Sequence, residues 1–311
     1  MKKKMVSVAV PLYNEAEMIE EICDRVENVF KTLDQYDYEI VFFDDGSTDG
    51  TKAEIDRICA ERAEVKCVRY TRNFGYLKNT FYCMQQSKGD CAVLLHADLQ
   101  NPPELIPEFL KKWEDGAKVV QGVKKKSREN RFMFFLRSVF YFIMIRFFGI
   151  NIKAHATEFE LFDRSFIDIL KSIDINKPFL RGIVSEYAQG IEYVYYVQDA
   201  RKRGKSKFKF KSIYEFAFCG ITQYSRVLPR RIIITGVLLI IGLLIESFAV
   251  FLPHAKYADP LIISNSIMIR CCGLVLCFIL ILAGIIWEYV IASATNSSKK
   301  PLVVEKERIK Y

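Results

Sequence analysis

Residues 232–252 and 271–290 form two apolar runs of 21 and 20 residues, each broken by a single charge, Glu246 in the first and Glu288 in the second. A helix needs about 20 such residues to cross the hydrocarbon layer of a bilayer, and a helix satisfies its own backbone hydrogen bonds there. The runs therefore predict a two-helix transmembrane hairpin, about 232–252 and 271–291, within a segment 226–298. Lys and Arg collect on the cytoplasmic side of such spans. Arg226, Arg230 and Arg231 precede the first run and Lys299, Lys300, Lys306, Arg308 and Lys310 follow the second, while the connection holds Lys256, with Arg270 at its edge. Both termini are expected in the cytoplasm, with residues 299–311 as a basic tail and the chain a multi-pass protein of the cell membrane. No cleavable signal peptide is expected, because the apolar stretch 6–12 behind the basic start is too short for one.

The remaining part, residues 1–225, is long enough for one ample core, since domains run to roughly 100–200 residues. Short β-like runs at 5–11, 38–43, 65–70, 91–95 and 119–123 alternate with helical patterns, the first carrying Met18, Ile22, Val26, Val29 and Leu33 at helical spacing. Asn14 followed by Glu17 suits a capping box at its start. Alternation of this kind predicts an α/β domain with a mainly parallel sheet covered by helices on both faces. Ligands bind such sheets beyond the carboxyl ends of the strands. That rule singles out the turns 11–15, 44–51 and 96–100.

Composition excludes some functions. The nine cysteines contain no Cys-x-x-Cys pair, so neither a disulfide framework nor a zinc site is expected. The net charge of +8 is concentrated, with seven of the eleven residues 201–211 basic. Lying shortly before a span, these suit anionic lipid headgroups; nucleic acid ranks low, because the neighbouring Phe208 and Phe210 match no RNA-binding signature. The aromatic stretch 131–148 has Arg137 and Arg146 too close together for a span, and is read as an interfacial helix between sheet and bilayer.

The turn DDGSTDGT at 44–51 places Asp44 and Asp45 side by side at a strand end. Two adjacent carboxylates repel unless a cation or hydrogen-bond donors share the crevice, which favours a binding site over a plain turn. With VAVPLYNE at 8–15, RNFG at 72–75 and ADLQNPPE at 97–104, in order along residues 5 to about 230, the chain resembles the family-2 glycosyltransferases. Within them it is most similar to the polyprenyl-phosphate sugar transferases, including dolichol-phosphate mannose synthases and undecaprenyl-phosphate glycosyltransferases. The resemblance implies a GT-A (Rossmann-like) domain that binds a nucleotide sugar, with a UDP-sugar as the expected donor. By analogy Pro11, Tyr13 and Glu15, with Asp45 beside Asp44, hold the base and ribose, Arg72 reaches the diphosphate or braces the turn, and Asp98 carries Mg²⁺ or Mn²⁺ bridging the diphosphate.

Two departures stand out. His96 occupies a position where relatives usually have the first carboxylate of Asp-x-Asp; it either joins the metal site or borders it. In TEFELFDR at 157–164, Glu158 takes the place of the family's proposed basic Asp and Glu160 replaces an Arg. A phosphate acceptor needs little help from a base, because a phosphate monoester has a second pKa near ~6 and arrives already anionic. The demand is for cations that offset the charge of nucleophile and leaving group. RKRGKSKF at 201–208 resembles the family's phosphate-contacting segment, and points to Arg201, Arg203, Lys205, Ser206 and Lys207. The expected activity is inverting transfer of the sugar to undecaprenyl (polyprenyl) phosphate at the cytoplasmic face, by a protein able to form homo-oligomers. A transferase acting on a glycolipid or polysaccharide hydroxyl, with Glu158 as an essential base, and a catalytically degenerate membrane scaffold are the alternatives.

Overall fold

A computed structural model describes residues 3–127, 131–146, 149, 152–176, 178–198, 234, 238, 241, 242, 245, 260–297 and 301–311. Within them the alternation read from the sequence becomes β1 (Lys4–Leu12), α1 (Ile19–Phe30), β2 (Tyr36–Asp44), α2 (Thr51–Glu61), β3 (Val65–Tyr70), α3 (Tyr76–Gln86), β4 (Cys91–Leu94), α4 (Ile106–Glu114) and β5 (Val119–Ser127). There follow α5 (Arg131–Arg146), β6 (Ala156–Asp163), α6 (Arg164–Ser172), α7 (Leu180–Tyr187), β7 (Ile191–Gln198), α8 (Pro260–Ser297) and β8 (Glu305–Ile309). All eight strands join one sheet in the order β7-β5-β6-β4-β1-β2-β3-β8.

Period-two alternation sorts the side chains of the central strands onto two buried faces. Val6, Val8 and Val10 of β1 pack with Ile22 and Val26 of α1, Ile58 of α2 and Phe109 of α4. Ala9 of the same strand faces the opposite core, with Phe81 of α3, Ile167 of α6 and Ile183 of α7. The first four strands are mutually parallel, so their carboxyl ends share one edge. Strand order reverses between β1, flanked by β2 on one side, and β4 on the other, and that switch point opens a crevice. β6 runs antiparallel to β4 with Leu94 opposite Glu160, which carries Glu158 beyond the end of β4 and into the same crevice.

Two sequence expectations change. Asn14 does not open a capping box: its φ is 55°, its side-chain carbonyl accepts from Thr48 N at 2.8 Å, and a 3-10 turn at Ala16–Met18 precedes α1 without a side-chain cap. The left-handed turn swings the amide across to the second loop instead of back onto its own helix. Residues 299–311 are more than a basic tail, because 305–309 form the antiparallel edge strand β8 on β3. Its pattern EKERI is too polar to announce a strand, and a long-range partner supplies what local propensity does not. The expected 271–291 span lies inside α8, which is 38 residues long; among the described residues no helix is long and apolar enough to cross a membrane. Most of the expected span 232–252 and all of 201–211, with Arg201, Arg203, Lys205, Ser206 and Lys207, lie outside the described residues.

Residues 131–146 of the expected interfacial helix are helical as α5. Tyr141 and Met144, three residues apart, turn inward, whereas Phe142, Ile143 and Ile145 are exposed.

Candidate active site

Register brings the first two turns together. Leu12 pairs with Asp44 at the ends of β1 and β2, and the chains beyond are cross-linked by Asn14 N donating to Ser47 Oγ at 2.9 Å and Glu15 N donating to Thr51 Oγ1 at 3.1 Å. Thr51, the first residue of α2, thereby holds the first turn. Asp44 is buried, and its Oδ1 accepts from Ser47 N at 2.9 Å. Asp45 accepts from Phe74 N at 2.6 Å and Gly75 N at 2.9 Å. The adjacent carboxylates therefore separate, one shaping its own turn and the other clamping RNFG.

Burial raises the Asp45 carboxyl to about 6, against the lowering pull of those two N–H donors. Gly46, at φ +69°, lies so close to the backbone of Arg72 that a Cβ would stand 2.5 Å from its carbonyl carbon. Only glycine meets both demands. Arg72 itself stacks its guanidinium 4.5 Å over the Phe74 ring, which favours the bracing role. Tyr13 and Glu15 are half-exposed beside these loops, and Pro11 is a buried residue of β1 opposite Phe43.

A second cluster fills the crevice past β4. Leu99, at φ 49°, closes a tight turn in which its N–H reaches His96 O at 3.3 Å, and Asp98 Oδ1 accepts from Gln100 N at 3.2 Å. His96 and Asp98 both remain half-exposed. His96 Nε2 lies 3.3 Å from the Tyr76 hydroxyl. Burial holds the imidazole below its ordinary pKa, against the pull of Glu158 and Asp98. Tyr76 donates to Glu158 Oε2, and burial, reinforced by Glu158, pushes its phenol well above the usual range. Arg181 Nε donates to the other oxygen, Glu158 Oε1, at 3.1 Å, and its Nη1 donates to Tyr141 of α5 at 2.8 Å. Arg181 thus joins Glu158 of β6 to Tyr141 of α5.

Glu160, on the same face of β6 two residues inward, is fully buried and accepts from Gln121 Nε2 at 2.5 Å. Burial, with Glu158 adding to it, raises its carboxyl from 4.5 to about 8. The folded chain thus keeps a proton that the unfolded chain releases between these values. This stabilisation is complete below the unfolded pKa and is lost as pH rises through 8. Glu160→Gln, which never ionises, is expected to be more stable than the native chain at pH 9, by up to about 4–5 kcal/mol, with the difference shrinking steadily as the pH falls towards 4.5. Thermal melts at the two pH values measure it.

Among the described residues no group of three or more His, Cys, Asp or Glu is placed to hold a metal alone. Mg²⁺ commonly takes one or two carboxylates and completes its shell with substrate phosphates and water. Asp98, a half-exposed carboxylate at the sheet's ligand-binding edge, fits that mode as the single protein ligand. His96 is engaged with Tyr76, as described above.

Comparison with known proteins decides the family. The model of glycosyl transferase family 2 matches residues 7–170 of the 311-residue chain, more than half of it. The chain belongs to glycosyl transferase family 2. This transferase is 30% identical over 300 residues to the uncharacterized glycosyltransferase YkcC of Bacillus subtilis, covering 96% of the chain and 92% of the relative. It is 30% identical over 263 residues to the bactoprenol glucosyl transferase of Shigella phage SfV, covering 84% and 83% of the two chains. Among solved structures, glucosyl-3-phosphoglycerate synthase from Mycobacterium tuberculosis matches with a TM-score of 0.53 at 16% identity, over 72% of this chain and 81% of that one. Mannosyl-3-phosphoglycerate synthase from Rubrobacter xylanophilus matches with a TM-score of 0.51 at 15% identity, over 75% of each chain. At these identities the structures speak for the shared GT-A fold alone.

Sequence reading of the transferase missed Tyr76, Tyr141 and Gln121. Tyr76 directly follows RNFG, and its place at the start of α3 was the available signal. Gln121 and Tyr141 become visible only through the β5–β6 pairing and the packing of α5.

Proposed function

We propose that this family 2 glycosyltransferase moves a sugar from a nucleotide donor, with a UDP-sugar favoured, onto a polyprenyl phosphate at a membrane surface, with inversion. The observation that carries the choice of acceptor is the state of Glu158. A base for a hydroxyl acceptor needs a free carboxylate oxygen, but one oxygen accepts from Arg181 at 3.1 Å and the other from Tyr76. Both oxygens of Glu158 are thus already engaged by donors within the protein. An anionic phosphate requires no such base. The bactoprenol glucosyl transferase relative, matched over 84% of this chain, supports the same acceptor class.

In this reading the turn pair around Asp44 and Asp45 receives the base and ribose, with Tyr13 and Glu15 at its rim and Arg72 toward the diphosphate. Asp98 would hold Mg²⁺ or Mn²⁺, and that cation, when bound, would supply positive charge to the leaving diphosphate. Arg181, Tyr76 and Glu158 fix the far wall as a rigid unit. The basic residues Arg201, Arg203, Lys205, Ser206 and Lys207 receive the lipid phosphate, opposite charge reducing the repulsion between two anionic reactants.

Membrane anchoring by residues 226–298 belongs to the same proposal. Leu276, Ile279, Ile281, Ile286 and Trp287 of α8 are all exposed, and 38 helical residues reach about 57 Å at 1.5 Å each. Strand β8 pairs with β3 of the catalytic sheet, so an even number of crossings between β7 and β8 is required, as a hairpin provides. This supports both termini lying on the catalytic side.

Two measurements test the function. The purified protein in undecaprenyl-phosphate micelles, with a panel of nucleotide sugars and Mg²⁺ or Mn²⁺, is expected to form a lipid-linked sugar; no product under any combination would leave the scaffold alternative standing. Glu158→Gln is expected to retain turnover within about tenfold, whereas loss of an essential base costs roughly 10²–10⁴-fold. A loss on that larger scale would assign the acceptor to the hydroxyl class.

A further inference from the structure

We infer that Arg69 and Glu307 make the nucleotide turn dependent on docking of the C-terminal strand, with Arg69 as a positioning residue. The inference rests on the nucleotide reading of the 44–51 turn. Three strands place an acid, a base and an acid in direct register: Asp44 of β2 pairs with Arg69 of β3, and Arg69 pairs with Glu307 of β8. The guanidinium lies against three acids: Nη2 donates to Asp56 Oδ1 at 2.9 Å, while Nε, 3.4 Å from Asp44 Oδ2, and Nη1, against Glu307 Oε1, meet theirs as charges without a hydrogen bond.

Burial makes this ladder consequential. Asp44 and Arg69 side chains are 1% and 4% exposed, and Asp44 Oδ2 has no hydrogen-bond donor among the described residues. Arg69 is therefore the counter-charge of a carboxylate whose other oxygen shapes the nucleotide turn through Ser47 N. A buried charge left without its partner is costly, so the turn holds its form only while Arg69 stays in place. Arg69 is in turn covered and held from outside by β8.

The strand is built into the domain rather than laid on it. Thr71 N donates to Val304 O at 2.9 Å, Tyr82 donates to Glu305 Oε1 at 2.6 Å, and Arg308 donates to Gln86 Oε1 at 2.9 Å. Val303 is buried in the core that contains Phe43 and Val68. Because β8 follows α8 after a short connection, the segment that anchors the chain also completes the support of the nucleotide turn.

The test compares Glu307→Gln with Arg308→Ala in the full chain, measuring uridine diphosphate binding by titration and KM and kcat for UDP-glucose. Arg308→Ala removes a β8 anchor of similar kind that does not touch Arg69. Glu307→Gln is expected to weaken nucleotide affinity and raise KM roughly tenfold with kcat nearly unchanged, while Arg308→Ala lowers the melting temperature without moving KM. Arg69→Lys, which keeps the charge but loses the three-way fork, is expected to raise KM likewise, and serves if Glu307→Gln does not fold. Unchanged affinity in both Glu307→Gln and Arg69→Lys, or an equal loss in Arg308→Ala, overturns the relay while leaving the nucleotide site intact. Failure of the native chain to bind any nucleoside diphosphate, or full affinity in Asp45→Asn, removes the reading of the turn and the relay with it.

Discussion

Asp98→Asn is expected to lower kcat/KM about 10²–10³-fold, the scale on which removal of one electrostatic stabiliser of a transition state is felt, while stability changes by less than about 1 kcal/mol. The asymmetry follows from what the side chain does in the fold. The hydrogen bond it accepts from Gln100 N at 3.2 Å needs only an oxygen, and asparagine keeps one. What asparagine lacks is the negative charge that Asp98 contributes as the single protein carboxylate of the proposed metal site. Neighbouring His96 does not replace it, because an imidazole brings no negative charge and its Nε2 is turned to Tyr76. Raising Mn²⁺ in the assay should therefore restore part of the lost activity, with the apparent metal affinity shifted rather than the ceiling. Steady-state rates across a metal titration, alongside thermal melts, measure both parts; an Asp98→Asn chain with native rates at low metal would detach Asp98 from the reaction.

The same contrast between local and long-range information explains what could be read in the sequence. Alternation of apolar β runs and helical patterns along residues 5–123 announced the sheet, because both faces of β1 and β2 are buried and their side chains had to be apolar. Asp44, Asp45 and Asp98 could be named because the carboxyl end of a parallel strand is a predictable place. Partner choice was not readable. Whether Arg181 meets Glu158 or Glu186 depends on how α7 docks, and the joint grip of Tyr76 and Arg181 on Glu158 unites α3, β6 and α7 across more than a hundred residues of chain. β8 was hidden for the same reason: polar residues at an edge carry no period, and the Asp44–Arg69–Glu307 ladder exists only after β2, β3 and β8 are in register. In the sequence the departures at Glu158 and Glu160 left open a substitute base and a degenerate site. In the fold Arg181 brings a guanidinium to Glu158 from α7, and Glu160 is accommodated by Gln121.

Arg181→Met is expected to be the most destabilising single change in the crevice. Glu158 is 2% exposed and Arg181 21% exposed, so methionine can fill much of the space but leaves a buried carboxylate without its cation. Removing one member of a buried pair costs about 3–5 kcal/mol, and the partial exposure of Arg181 brings the expectation down to about 2–3 kcal/mol. For a domain of this size that lowers the melting temperature by roughly 5–10 °C. Little nearby can take over the charge: His96 is held toward its neutral form, and Glu160 two residues away is another acid. The change also removes the donor to Tyr141 at 2.8 Å, loosening α5 from the catalytic domain, which limited proteolysis should register as faster cleavage around residues 131–146. Adding Glu158→Gln to Arg181→Met removes the stranded charge and should recover most of the lost stability, because the two side chains are coupled. If the double variant is no more stable than Arg181→Met alone, the pair is not what holds this wall of the crevice together.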